Sequence, residues 1–480
     1  MTQTQPRLSF LRNAKPDPAM LAAGRYGTPE MCQIWGPENT MALQLYVQGV
    51  AAVSLSNLDP EIVPGELARE IADRATLEHV KPDKIREIEA RTGHDIIGVN
   101  TALEEVLSEA ARVHVNKAKT SADTTQPARA LQLKKSLEVV ADTIENLRDI
   151  TLERAVGWIN IPYMDGTHGF DALPTVAGRP FTHYAEMLQS GLDLLKFVYI
   201  HSIMGKWADA TGNHHSATVL GISGMNLEGD YCNRLGVGHM IAPAQLPGLE
   251  FEADVFFVLS RFTETMNNIA NYLHWGKSQD VDLFSDTKSG RKGSSAMPHK
   301  DVKGGNPTAE EQVMSLRRYM QGNLVTAVSN SEMRYARDLA ASANSRINFE
   351  DGFKFFDHAA RSLASAVYHL GINEARSQER IERTYGITTS QQVMMILTDP
   401  RRVEEPMARS IAHDLMGELA TRAYTTRTPF IDVLLQNEDV TSRISSEQLR
   451  GLTDPIQYIG QSKEIIGRVF ENYHHQRTLK

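Results

Sequence analysis

Apolar residues recur along much of the chain at alternating steps of four and three, a spacing that places them on one face of an α-helix. The two clearest stripes are Leu133, Leu137, Val140, Ile144 and Leu147, and then Val255, Leu259, Phe262, Met266, Ile269 and Leu273. Such regular seams are typical of long helices that pack nearly parallel to their neighbours. Further helices are predicted at about residues 182–204, 307–334 and 349–371, and we find neither a run of alternating strands nor a βαβ rhythm. The pattern predicts an all-α fold with a helical bundle at its centre.

The segments on either side of this bundle have shorter predicted helices that are interrupted by proline. Pro60, Pro64 and Pro82 divide the N-terminal part, and prolines recur from Pro400 to Pro455. We therefore expect three helical domains, at residues 1–121, 122–371 and 372–480. Several helices of the middle domain exceed 20 residues without internal proline, which is longer than usual in a globular domain. Such long seams often continue into a neighbouring subunit, so we expect an oligomer.

Composition excludes several classes of protein. The chain of 480 residues has a net charge of -9, which argues against a nucleic-acid-binding scaffold. No apolar run has the length of a membrane span, and the N-terminus lacks the apolar core of a secretory signal. Cys32 and Cys232 fit buried thiols in a reducing compartment. We expect a cytoplasmic protein with no membrane or nucleic-acid partner, and no motif supports a metal or a cofactor.

One loop, at residues 289–307, has an unusual composition. It contains four glycines, two prolines, five potential cations and the adjacent pair Ser294 and Ser295. Pro307 stands where the next helix is expected to begin. A basic, hydroxyl-bearing segment of this kind suits an anionic substrate that must be enclosed before it reacts, although composition alone also fits an ordinary surface loop.

Several other segments combine hydroxyl, histidine and charged side chains. They are Arg25-Tyr26, Gly93-His94-Asp95, Thr120-Ser121, Thr182-His183, and Arg337 with Ser342 and Arg346. Helix capping or a buried histidine explains most of them when each is taken alone. The arginine pair with a hydroxyl would match the oxygens of a phosphate, and a solvated face of salt bridges explains it equally well. The individual signals are weak, but their order along the chain is specific.

That order resembles the adenylosuccinate lyase family of the fumarase/aspartase superfamily. The landmarks are Arg-Tyr-x-x-Pro-Glu-Met from Arg25, then His94-Asp95, Thr-Ser-x-Asp from Thr120, Thr182-His183, Gly-Ser-Ser-x-Met-Pro-x-Lys from Gly293, Asn-Pro from Asn306, and Arg-Asp-Leu-x-x-Ser from Arg337. The resemblance spans about residues 25–370. It implies the elimination of fumarate from adenylosuccinate to give AMP, and of fumarate from the succinylated aminoimidazole carboxamide ribotide of purine synthesis.

The resemblance also assigns roles to residues. Ser294 matches the catalytic base, His183 the general acid that protonates the departing nitrogen, and His94 a second histidine that orients the substrate. The other matched residues bind substrate: Gly93 and Asp95 beside His94; Thr120, Ser121, Lys300 and Asn306 at the succinyl end; Gln245; and Arg25, Tyr26, Arg337, Ser342 and Arg346 at the nucleotide end.

Members of this family are homotetramers in which the central helices form a twenty-helix core and three subunits share each site, so the same assembly is expected here. One departure concerns the loop, where residues 301–305 occupy a place that normally holds a single residue. Two alternatives stay open: a lyase for another succinyl adduct such as argininosuccinate, and a catalytically silent structural relative. Arg337 and Arg346, with Arg25-Tyr26, favour a phosphorylated substrate. The joint presence of Ser294, His183, His94 and Lys300 argues against a catalytically silent relative.

Overall fold

The computed structural model describes residues 25–288 and 294–479 of the chain. Within these ranges it contains twenty α-helices and two small two-stranded sheets. The predicted all-α class is confirmed, and the two sheets are additions that the periodicity did not predict. In the part of the chain that is described, no helix has the length and apolar character needed to cross a membrane.

The elements follow one another as helices of very different length. In chain order they are α1 (Pro29–Ile34), α2 (Pro37–Leu58), α3 (Gly65–Arg74), α4 (Pro82–Thr92), α5 (Asp95–Glu104), α6 (Glu109–Arg112), α7 (Ala122–Gly157), β1 (Pro162–Thr167), β2 (Phe170–Val176), α8 (Arg179–His201), α9 (His215–Val219), α10 (Gly224–Leu235), α11 (Glu250–Lys277), β3 (Phe284–Asp286), a 3-10 helix (Pro298–Lys303), α12 (Thr308–Ser329), α13 (Ser342–Tyr368), β4 (Leu370–Ile372), α14 (Glu374–Glu382), a second 3-10 helix (Ile387–Thr389), α15 (Ser390–Leu397), α16 (Arg409–Thr426), α17 (Phe430–Leu434), α18 (Glu438–Thr441), α19 (Ser446–Leu452) and α20 (Ser462–Tyr473).

Five of the long helices, α7, α8, α11, α12 and α13, pack together as a central bundle. Every residue of the two predicted apolar stripes is buried in the main core of this bundle, which confirms that the seams are core. A second apolar cluster packs helices α2, α3, α4 and α5 against α10. A third cluster holds together helices α15, α16, α17, α18 and α19. The domain boundaries at 121 and 371 stay predictions.

Near the start of α7, a side-chain hydroxyl replaces a backbone hydrogen bond that a proline cannot make. Pro127 lies inside this helix and has no N–H to donate to the carbonyl of Asp123 four residues earlier. The buried hydroxyl of Tyr231, on α10, donates to that carbonyl instead, at 3.0 Å. A proline near the beginning of this 36-residue helix is therefore tolerated. The hydrogen bond from Tyr231 also connects α10 to α7.

The far end of α7 is held by the C-terminal tail. The guanidinium of Arg148 is fully buried and donates to the carboxylate of Asp149, at 2.7 Å, and to the carbonyl of Gln476, at 2.8 Å. Arg477 forms ion pairs with Glu145 and Asp149, both at 3.3 Å. The tail thus compensates buried charges on the central helix.

β1 and β2 form an antiparallel hairpin between α7 and α8, with Thr167 opposite Phe170. The two residues between them, His168 and Gly169, have positive φ angles of 55° and 85°. Positive φ at both positions is what a two-residue hairpin turn requires. Glycine adopts it freely, whereas histidine adopts it at a cost. The hairpin places His168 at an exposed tip.

Candidate active site

A cavity of about 1040 Å³ lies between the N-terminal helices and the beginnings of α7 and α13. Its lining includes seven of the predicted site residues: His94, Asp95, Ser121, Gln245, Arg337, Ser342 and Arg346. These residues come from four separate segments of the sequence. The structure thus brings together about half of the predicted site within one chain, at a size that suits a nucleotide-sized ligand.

The hydroxyl turn at Thr120 and Ser121 rests on a buried carboxylate. Asp123 accepts a hydrogen bond from the backbone N–H of Thr120 at 2.8 Å, and one from Ala208 at 3.0 Å. The ammonium of Lys206 forms an ion pair with the same carboxylate, and both side chains are fully buried. Ser121 is the N-cap residue of α7, but its side chain makes no capping hydrogen bond. Its hydroxyl therefore remains available to a ligand in the cavity.

A second lysine lies behind the same turn. The Nζ atom of Lys119 is 5.5 Å from the ring centroid of Trp207 and 5.3 Å from that of Tyr231. Burial lowers the pKa of Lys119 to about 7, with the Asp123 carboxylate opposing and Lys206 adding to that shift. The positive charge behind the hydroxyl turn is therefore largest below pH 7, and it favours an anionic group beside Thr120 and Ser121.

Replacing Lys206 by methionine is expected to lower the free energy of unfolding by about 3–5 kcal/mol, because Asp123 is left as an uncompensated buried charge. The thermal midpoint of the assembled protein measures the loss. Adding Asp123→Leu to Lys206→Met should recover part of the stability but not substrate binding, since the N–H of Thr120 loses its acceptor. A single variant as stable as the wild type would show that the pair does not hold this turn.

His94 and Asp95 lie on the opposite wall, where α4 ends and α5 begins. Gly93 ends α4 in the left-handed conformation, with φ of 68°, and His94 is the N-cap residue of α5. The Nδ1 atom of His94 is 3.3 Å from a carboxylate oxygen of Asp95, and the side chain of the histidine is 45% exposed. The histidine and the carboxylate therefore lie side by side at this wall of the cavity.

The third wall carries the arginines. Arg337 donates through Nη1 to Oε1 of Gln245 at 2.9 Å, and Gln245 is itself held by the backbone of Ala336 and Ala210. The Nε atom of Arg337 is buried and has no hydrogen-bond partner within the described residues. Burial lowers the pKa of Arg337, and the nearby guanidinium groups of Arg129 and Arg346 lower it further. An anion bound here would relieve both effects.

Ser342 begins α13, so it shares a helical face with Arg346 one turn later, as the sequence predicts. Both residues line the cavity with Arg337. The arrangement provides a hydroxyl, two guanidinium groups and a helix N-terminus, all of which suit the oxygens of a phosphate.

The remaining predicted residues do not line this cavity. α7 and α13 run in the same direction, since Arg129 near the start of α7 contacts Ser345 near the start of α13, and Arg154 near the end of α7 donates to the carbonyl of Tyr368. We call the start of these helices the cavity end of the bundle and the other the loop end. At 36 residues, α7 separates the two ends by about 54 Å.

The described part of the signature loop lies at the loop end, where Thr287 bonds the carbonyl of His369. The Oγ atom of Ser294 accepts hydrogen bonds from the backbone N–H groups of Ala296 and Met297, at 3.3 and 3.1 Å. Such donors would stabilise an ionised serine oxygen. Residues 289–293, the first part of the loop, lie outside the described residues.

Lys300 and Asn306 meet in spite of the lengthened loop, with Nζ of the lysine 3.1 Å from Oδ1 of the asparagine. The additional residues fold into the 3-10 helix and end at Gly304 and Gly305, whose φ angles are 83° and 86°. A Cβ atom on Gly304 would lie 2.6 Å from the backbone oxygen of Asp286. The glycines thus return the chain to α12 in a space that a larger residue could not occupy.

His183 also lies at the loop end, in the first turns of α8, where it is exposed beside Tyr184. Its neighbour Thr182 is buried and bonds the carbonyl of Arg179 in its own helix. The hairpin carries a second Thr-His pair, Thr167-His168, at the same end of the bundle. We did not predict this pair as part of the site, although the Thr-His dipeptide occurs at both positions and was a signal.

The two N-terminal residues of the predicted site, Arg25 and Tyr26, lie away from the cavity. The ring of Tyr26 contacts His358 and Phe355 of α13, with centroids 5.4 and 6.4 Å apart. Nearby, Thr28 donates to the buried carboxylate of Asp357 at 2.5 Å. This segment is therefore fixed against the middle of α13, and Arg25 is exposed.

Comparisons with known proteins find similar sequences over most of the chain. The sequence model of the lyase family matches residues 24–322, and that of the adenylosuccinate lyase C-terminus matches residues 386–469. The adenylosuccinate lyase of Methanocaldococcus jannaschii is 29% identical over 93% of this chain and 94% of its own. That of Streptococcus mutans is 26% identical over 93% and 98%.

Solved structures share the fold. A fumarate lyase from Mesorhizobium sp. BNC1 superposes with a TM-score of 0.80 at 18% identity, covering 93% of this chain and 98% of that chain. The 3-carboxy-cis,cis-muconate lactonizing enzyme from Pseudomonas putida gives a TM-score of 0.80 at 19% identity, covering 93% and 97%. The matches of sequence show the family: the chain belongs to the lyase family and, as its motif order predicts, to the adenylosuccinate lyases within it.

Proposed function

We propose that the protein releases fumarate from adenylosuccinate to give AMP, and from the succinylated aminoimidazole carboxamide ribotide to give the free carboxamide. The observation that carries this proposal is the polarity of the cavity. A hydroxyl turn backed by lysines lies at one wall, and Arg337, Arg346 and Ser342 lie at another. A substrate with a dicarboxylate at one end and a phosphate at the other matches both walls.

The reaction removes a weakly acidic proton from a carbon next to a carboxylate, and then breaks a C–N bond. In the proposed mechanism Ser294 takes the proton, while Thr120, Ser121, Lys300 and Asn306 hold the succinyl carboxylates. These donors would stabilise the negative charge that develops on the carboxylate. A histidine on the other side protonates the departing nitrogen. His94, which lies beside Asp95, positions the substrate between them.

We propose that the functional unit is a cytoplasmic homotetramer with shared sites. In one chain Ser294 and His183 are at the loop end, about 54 Å of helix away from the cavity. A neighbouring subunit that packs in the opposite direction would bring its loop end to this cavity. Apolar side chains on the outer faces of the bundle helices support such packing: Phe197 and Ile200 on α8, Phe257 on α11, Val325 and Val328 on α12, and Ile347 on α13 are each more than half exposed.

For the general acid, the sequence assigns His183, and one observation favours a second candidate. His168 occupies a position in the hairpin turn where asparagine, aspartate or glycine is the usual residue. Positions that break a local preference are often functional. The tip of the hairpin also extends from the loop end, so it could reach a cavity of a neighbouring subunit.

The function is tested by measuring fumarate formation from adenylosuccinate and from argininosuccinate. We expect turnover of adenylosuccinate and none of argininosuccinate. Argininosuccinate has no phosphate for Arg337 and Arg346 to bind. Turnover of argininosuccinate alone would identify the other lyase, and turnover of neither would support a silent structural relative.

The phosphate assignment has its own test in Arg346→Ala. This variant is expected to weaken the binding of AMP by about tenfold or more, since hydrogen bonds to charged groups contribute about 1.5–3 kcal/mol. The binding of fumarate should change little. Calorimetric titration of both ligands measures the contrast, and equal losses for both would remove Arg346 from the phosphate site.

A further inference from the structure

Arg129 is absent from the predicted set, yet its side chain lines the cavity with Arg337 and Arg346. It lies on α7, eight residues beyond Ser121 and therefore about 12 Å further along the helix. Its Nη1 atom donates to the hydroxyl of Ser345 at 2.9 Å and to the carboxylate of Glu252 at 3.1 Å. The guanidinium is thus held in place at the cavity wall and is 22% exposed.

Arg129 belongs to a cluster of arginines at this wall. Three guanidinium groups are close enough that Arg129 and Arg346 both lower the pKa of Arg337. One carboxylate, Glu252, bonds one of them, and Asp95 opposes the shift from the facing wall. The Nε atom of Arg337 is buried without a partner among the described residues. Carboxylates such as Asp338 and Glu350 also line the cavity, but an anion bound at this wall would give the buried Nε atom a partner and reduce the repulsion among the three guanidinium groups.

We propose that Arg129 is the third arginine of a phosphate wall formed with Arg337 and Arg346, and that it makes this wall selective for a phosphate over an uncharged group. The inference rests on the proposed function and extends it by naming a specificity-determining residue. Because Glu252 and Ser345 hold Nη1, the guanidinium keeps one orientation without the ligand. Because the guanidinium is already fixed before the ligand binds, less conformational entropy is lost on binding.

A purely structural role for Arg129 predicts different results. Arg129, Glu252 and Ser345 join the beginnings of α7, α11 and α13, so the same contacts could act as a brace. As a brace, Arg129 and Glu252 are partners, and loss of either loosens the wall. In the phosphate wall they act in opposite directions, because Glu252 reduces the positive charge that Arg129 presents to the ligand.

The experiment compares Arg129→Leu and Glu252→Gln by titration of the assembled protein with AMP and with adenosine. Arg129→Leu should raise the Kd for AMP by about 10- to 100-fold, the range for a lost charged hydrogen bond. Glu252→Gln should lower the Kd for AMP by about fivefold, since a nearby negative charge is removed while a side chain of the same shape remains. The Kd for adenosine should change less than about twofold in both variants.

Arg129→Lys keeps the positive charge but lacks the planar guanidinium with its several N–H donors. An intermediate Kd for AMP in this variant supports the proposal even where Arg129→Leu is poorly folded. Lys135→Met is the matched control, because Lys135 is an exposed cation of the same helix that pairs with Glu138 at 3.0 Å. It should leave both affinities unchanged.

Unchanged AMP affinity in Arg129→Leu would overturn the inference alone. Weaker binding of both AMP and adenosine in both variants, with lower thermal midpoints, would assign Arg129 to the brace and also overturn it. A wild-type protein that binds no AMP would overturn the proposed function, and the inference with it.

Discussion

Ser294→Ala is expected to lower kcat for fumarate release by roughly 10²–10⁴-fold, the contribution that a positioned acid or base makes to catalysis. The hydroxyl of Ser294 accepts two backbone N–H groups, which would stabilise its ionised form as the substrate proton is removed. Alanine keeps the backbone but offers no oxygen. Steady-state kinetics on adenylosuccinate measure the effect, and size-exclusion chromatography should show the same assembly as the wild type.

Ser295→Ala is the matched control for this experiment. Ser295 is the exposed neighbour in the same loop and carries an identical hydroxyl. Its variant should keep most of the activity. Near-normal turnover in Ser294→Ala, or an equal loss in both variants, would show that Ser294 is not the base.

His183→Ala is expected to reduce kcat by a similar factor, roughly 10²–10⁴-fold, because the departing nitrogen would leave without a proton. His168→Ala, measured in parallel, tests the hairpin histidine. Both side chains are exposed in the single chain, so neither change should disturb the core. The pH dependence of kcat adds a second readout, since loss of the acid should remove one limb of a bell-shaped profile.

The outcome assigns the acid to one position. A large loss and a missing limb in His183→Ala alone would support the assignment made from the sequence. The same result in His168→Ala alone would place the acid at the hairpin tip. If both variants retained normal kcat and the full profile, neither histidine would be the acid.

The sequence predicted the central bundle because apolar residues such as Leu137 and Phe262 recur with the period of a helix. It did not predict the hairpin. Tyr163 and Met164 are adjacent in β1 and both buried, which breaks the alternation that marks a half-exposed strand. The tip, Asp-Gly-Thr-His-Gly, has the composition of an ordinary loop.

Residues that line the cavity could be selected from the sequence where they stand in motifs, as His94, Asp95 and Ser121 do. Arg129 could not be found in this way, because its partners Glu252 and Ser345 are 123 and 216 residues away in the sequence. An arginine on a helix normally indicates solvent exposure. Its place in the cavity depends on how α7, α11 and α13 pack, which local pattern does not specify.

The lengthened signature loop has a consequence for the two residues that flank its additional length. Its extra residues coil into a separate turn closed by Gly304 and Gly305, while Lys300 still meets Asn306. A longer loop is therefore compatible with the contact between Lys300 and Asn306, because the added length is taken up by a turn of its own.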